Sequence, residues 1–148
     1  MANPNPVMQF GAFTPFGLAS LLGISGSQFN SSAVLNAAIP SGLLTGALEV
    51  ILNTTANGAN ALSTPTAQQM IADIIAEMCP YLSPVGLVGM SYELTIQNTG
   101  NNTVTLTGGA GVTITGTNTI ATGTWRRFVV TVTGATTITL QNIGSGAV

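Results

Sequence analysis

The chain has 148 residues, of which only 4% are charged, against about 25% in an average soluble domain. All of that charge sits on Glu49, Asp73, Glu77, Glu93, Arg126 and Arg127, with no Lys and no His, for a formal net charge of −2. Two adjacent arginines cannot neutralise a run of phosphates, one cysteine cannot close an internal disulfide, and without His or Lys the commonest general bases and Schiff-base nucleophiles are missing.

Hydrophobic residues make up 45% of the chain, enough for a sizeable core. A free-standing monomer normally keeps a charged, patch-poor surface, and this chain cannot build one. The composition therefore points to a subunit with much of its surface against other protein chains. The alternative is a monomer hydrated by Thr, Asn, Ser and Gln alone.

In chain order, "NPNP" at the N-terminal end predicts an extended arm, because each proline pushes its predecessor away from helix. Phe10, Phe13 and Phe16 follow at spacing three. They fit an anchor inserted into a neighbour, and equally the completion of this chain's own core. No basic region precedes an apolar stretch, so no secretory signal is expected. Phe10–Ile24 is interrupted by Pro15 and several glycines and is shorter than the roughly 20 residues that span a bilayer, so no membrane helix is expected. Thr14-Pro15 reads as cap and first residue of a short helix stopped at Gly23. A second short segment covers Ser32–Ile39 before Pro40. A third, capped by Ser41, would stripe Leu43, Leu44, Ala47, Leu48, Ile51 and Leu52 on one face. The clearest helix follows Thr64-Pro65, with Thr66 and Gln69 forming a capping box if it starts a turn later. Met70, Ile71, Ile74, Ile75 and Met78 make its apolar face, Gln69, Asp73 and Glu77 its polar one, and Pro80 ends it. Cys79 at that end reads as a buried, inert thiol.

Past Met90 the period changes to two. Tyr92, Leu94 and Ile96 alternate with Glu93, Thr95 and Gln97, and Val104 and Leu106 with Thr103, Thr105 and Thr107. Val112 and Ile114, then Phe128, Val130 and Val132, then Ile138 and Leu140 continue the pattern. Such alternation predicts half-buried strands, with Gly/Asn turns between them. The expected fold class is α+β: an N-terminal extended arm and short helices, followed by a mainly antiparallel β-sandwich of jelly-roll-like form. Residues 1–62 form the arm and assembly region, 63–90 the amphipathic helix and connector, and 91–148 the β-module.

Chemistry-bearing patterns are few. Asp73 and Glu77 could pair as acid and base, but a solvated helix face explains them better. "GGAGVTITG" lacks the Gly-Lys-Ser/Thr ending of a phosphate loop. No metal set, cofactor site or enzyme activity is expected. Trp125, Arg126 and Arg127 concentrate the polar-aromatic character. Either they join a subunit contact or an ion pair, with Glu93 the natural partner, or they are two exposed arginines at a strand start.

"LSTPTAQQMIADI" (Leu62–Ile74), followed by "SYELTIQNTGNNTVTLTGGAGVTITGTNTIATGTWRRFVVTVTGATTITLQNIGSG" (Ser91–Gly146), resembles a Thr/Gly-rich β-module at the C-terminal ends of virion structural proteins of tailed, cyanophage-like phages. The resemblance implies a capsid cement or decoration protein, or a fibre or tail subunit, located on the virion after assembly in the host cytoplasm. It implies a homo-oligomer, with a trimer favoured, and the major capsid protein or another virion protein as partner. No direct nucleic-acid or membrane contact is expected. From the residues themselves, the Thr runs allow one alternative of another class, an ice- or carbohydrate-binding module, although no constant repeat spaces them.

Overall fold

The structure, a computed structural model, describes residues 26–30, 38–42, 44–45, 49–53, 60–78 and 80–148. The Pro-rich arm, the helix expected after Thr14, and Phe10, Phe13, Phe16 and Cys79 lie outside the described residues. Of the segment Ser32–Ile39, only its last two residues are described. Ala38 bridges Ser63 in parallel, and the Ile39 N–H donates to the Ser63 carbonyl at 2.8 Å.

The strands are β1 (Gly26–Asn30), β2 (Glu49–Asn53), β3 (Asn60–Ser63), β4 (Ser91–Asn98), β5 (Val104–Thr107), β6 (Val112–Thr115), β7 (Thr119–Ile120), β8 (Thr124–Gly134) and β9 (Thr137–Ala147). A helix α1 (Ala67–Met78) and a 3-10 turn (Pro84–Leu87) lie between β3 and β4. The strands form a six-stranded sheet, ordered β1-β2-β4-β8-β9-β6, and a three-stranded sheet, β3-β5-β7. The described part of the chain is thus mostly β, with one α-helix.

Antiparallel pairing holds for β4–β8, β8–β9 and β5–β7. The other pairs, β1–β2, β2–β4, β3–β5 and β6–β9, are parallel, which amends the expectation of a mainly antiparallel sandwich. The reason lies in the connections. A tight turn such as Gly134–Thr137 can only reverse the chain, whereas a connection as long as the one carrying α1 and β4 between β3 and β5 lets the strand return in the same direction.

The helix expected around Leu43–Leu52 is corrected. Glu49–Asn53 is β2, paired on one side with β1 and on the other with β4. A strand flanked in parallel on both sides tends to read as a continuous apolar run, and "EVILN" has that form; periodicity cannot tell such a run from one turn of a buried helix. Ser41 caps no helix. Its hydroxyl donates instead to Asp73 Oδ2 at 2.7 Å, beside the Gly42 N–H at the same distance.

One core joins the layers. Leu94, Ile96, Phe128, Val130, Val132, Ile138 and Leu140 come from the large sheet, Leu62, Val104, Leu106 and Ile120 from the small one, and Met70, Ile71 and Ile74 from α1. Alternation assigns Leu94, Ile96, Val104, Leu106, Phe128, Val130, Val132, Ile138 and Leu140 inward and helical spacing assigns Met70, Ile71 and Ile74; Leu62 and Ile120 are added by the small sheet. Full burial of a side chain such as Phe128 stabilises the fold by about 1.5–3 kcal/mol relative to exposure.

Helix α1 starts at the later of the two sites. Thr66 and Gln69 close a capping box: Thr66 N–H donates to Gln69 Oε1 at 3.0 Å, and Gln69 N–H to Thr66 Oγ1 at 3.2 Å. Thr64, two residues earlier, is buried and accepts from the Gly109 N–H at 2.9 Å, while Ala67 N–H donates to the Ala110 carbonyl at 2.9 Å. The "GGAG" segment therefore packs its main chain beneath the start of α1. A Cβ at Gly109 would fall 2.5 Å from the Pro65 carbonyl oxygen, so the close approach requires glycine.

Candidate functional site

Strand alternation splits the Trp125-Arg126-Arg127 triplet between two faces. In register, Trp125 lies opposite Gln97 of β4, Arg126 opposite Ile96, and Arg127 opposite Thr95. Trp125 and Arg127 therefore face outward with Thr95 and Val129. Arg126 shares the inward side with Phe128 and Val130.

On the outer face, a bulge in β9 decides what Trp125 meets. Arg127 pairs with Gly144 but Phe128 with Asn142, so Ile143 is the extra residue. The bulge brings Gly146, not Ser145, opposite Trp125. A Cβ at Gly146 would fall 2.8 Å from Trp125 Cε2 and Cζ2, so the indole lies on bare main chain. The Arg127 guanidinium sits 5.5 Å from the indole centroid, a cation–π distance. Arg127 Nη1 also approaches Glu93 Oε2 at 4.0 Å, with 47% and 63% of the two side chains exposed. Solvent screening at that exposure leaves the pair a contribution of a few tenths of a kcal/mol at most.

On the inner face, Arg126 Nε donates to the Thr119 carbonyl of β7 and so links the two sheets. Thr103, Thr119, Thr124 and Ser145 surround the same guanidinium in a pocket of about 200 Å³. The Thr124 hydroxyl is committed to the Ala121 carbonyl at 2.8 Å.

Three polar features escape periodicity. Asn98 is fully buried; its Nδ2 donates to the carbonyls of Asn102 (2.8 Å) and Ile120 (2.9 Å), and its Oδ1 accepts from Gly100 N–H at 3.0 Å. Asp73 accepts from Ser41 and Gly42 instead of projecting free from a solvated helix face. Tyr92 donates its hydroxyl to the Leu44 carbonyl at 3.0 Å, and burial, then the Asp73 charge, push its phenol well above its ordinary value. Adjacent "Asn-Thr-Gly-Asn-Asn" letters signal a turn around Asn98, yet nothing local says that its amide points inward.

A second surface is apolar. Tyr81 is 99% exposed, and Leu82, Val85 and Val88 are exposed beside it in the connector after α1. A groove of about 420 Å³ runs between α1, this connector and the β8–β9 turn, with Ile71, Ile75, Pro84, Val85 and Ala135 along it. Among the described residues, no three His, Cys, Asp or Glu side chains cluster as metal ligands, and no helix is long and apolar enough to cross a membrane. Compared with known proteins, the chain matches no family model, no curated protein and no solved structure.

Proposed function

We propose that this chain is a virion structural protein, most concretely a small capsid cement or decoration protein. It would act as a homo-oligomer, a trimer by preference, seated on the major capsid protein at the particle surface. The observation that carries this reading is the exposed run Tyr81, Leu82, Val85 and Val88 beside an apolar groove, in a chain with six formal charges. An apolar surface that its owner cannot offset with charge favours association, because burial of that surface is what drives it. The role is mechanical: covered apolar area and sheet edges tie neighbouring capsomers together against internal DNA pressure. The sandwich, read as a jelly-roll-like form with parallel edge strands, supplies a stiff body, and Thr113 and Thr115 give it an exposed, uncharged surface.

The ice- or carbohydrate-binding alternative needs an unbroken, evenly spaced Thr array, and Trp125, Arg127 and Glu93 interrupt the outer face. Particles assembled without this chain should lose heat resistance and DNA retention. Unchanged particle stability would refute the cement role, and labelling confined to the tail or a vertex would assign the chain to the fibre instead.

A further inference from the structure

The geometry points to the Arg126 pocket as a binding site for a carboxylate. Arg126 is partly withdrawn from solvent, and among the described residues no carboxylate lies within ion-pair distance of it, whereas Arg127 has Glu93. A guanidinium carries five N–H donors and cannot shed its charge. Its Nε–H is used by the Thr119 carbonyl, which fixes the plane of the group and leaves the end carrying Nη1 and Nη2. Two parallel N–H bonds from that end match the two oxygens of a carboxylate.

The walls fit the same ligand. Thr103, Thr119 and Ser145 line the pocket and carry hydroxyls with no intramolecular partner among the described residues, so each can donate to an anion oxygen. No acidic side chain lines it. At about 200 Å³ it admits a small acid, or the tip of a Glu or Asp side chain from another protein, but not a polymer. Because Arg126 also joins β8 to β7, an occupant would brace the two sheets where they meet. The pocket would hold a carboxylate whether or not the chain is a virion protein.

The test is thermal unfolding of the full chain in acetate and in N-acetylglutamate amide, against chloride at equal ionic strength. At a concentration about ten times Kd, each should raise Tm by about 3–5 °C. Arg126→Gln should abolish the rise, Arg126→Lys should weaken affinity about tenfold, and Arg127→Gln should leave it unchanged. A response to both ligands identifies a protein carboxylate as an acceptable source; a response to acetate alone restricts the site to free small acids. No response, an equal response in Arg126→Gln, or a response only to sulfate and phosphate would overturn the assignment. If Arg126→Gln does not fold, amide shifts of Thr103 and Ser145 in the wild-type chain on titration with acetate decide, and their absence refutes it.

Discussion

Replacing Asn98 by Ala should remove three hydrogen bonds and leave the carbonyls of Asn102 and Ile120 and the Gly100 N–H without their partner. Two of the three bonds are buried, and each buried main-chain group left unsatisfied costs about 1–3 kcal/mol. Water can reach the Asn102 carbonyl, whose bond is only partly buried. The expected loss is therefore about 3 kcal/mol, or about 6–12 °C in Tm for a chain of this length. Asn98→Asp should cost more at pH 7, because it sets a carboxylate against two carbonyl oxygens. Its folded form favours the protonated acid, so its stability is retained below the ordinary Asp range near pH 4 and lost as pH rises above it. Circular-dichroism melts and urea titrations at one protein concentration, from pH 4 to pH 7, measure both variants. Asn101→Ala, an exposed neighbour, is the control and should stay within about 0.5 kcal/mol. A Tm loss below about 2 °C for Asn98→Ala, or no pH dependence for Asn98→Asp, would refute the reasoning.

Gly146→Val should displace the indole lying on Gly146, with a red shift in the emission of Trp125, the chain's single tryptophan, and a loss of about 1–3 kcal/mol. Thr66→Ala opens the capping box and should cost about 1 kcal/mol in urea unfolding, while Thr66→Ser restores most of it. Tyr92→Phe tests the buried phenol. The folded state holds it protonated, so wild-type stability from this group is present below about pH 10 and lost at higher pH, and the variant should show a shallower alkaline loss. If the proposed oligomer forms through this surface, replacing Tyr81, Leu82 and Val85 together by Ser should lower the native mass to that of a monomer; a wild-type chain that is already monomeric would remove the support that this surface lends to assembly.

Much of the fold was legible in the letters because two kinds of signal are local. Alternation in the strands placed Leu94, Ile96, Val104, Leu106, Phe128, Val130, Ile138 and Leu140 inward, and each is buried. Thr66 and Gln69 were legible as one of two starts for α1, beside Thr64-Pro65, because a capping box closes within one turn; the structure uses that later start. The pairing of Arg127 with Glu93 was open to anticipation because so few charges exist. By itself, then, the sequence determined which strand positions face the core, which two sites could begin the main helix, and that charge-based chemistry has almost no material to work with. Tertiary structure alone decided the rest. It made Glu49–Asn53 a strand, since β1 and β4 satisfy its main-chain groups from both sides. It set four strand pairs parallel, since direction follows from the path of the connections and not from side-chain period. It turned Asn98 inward, laid Trp125 on Gly146 through a one-residue bulge, and gave the two arginines that alternation puts on opposite faces their partners, the Glu93 carboxylate for Arg127 and the Thr119 carbonyl of the other sheet for Arg126. Those outcomes depend on segments far apart in the chain, which no local pattern records.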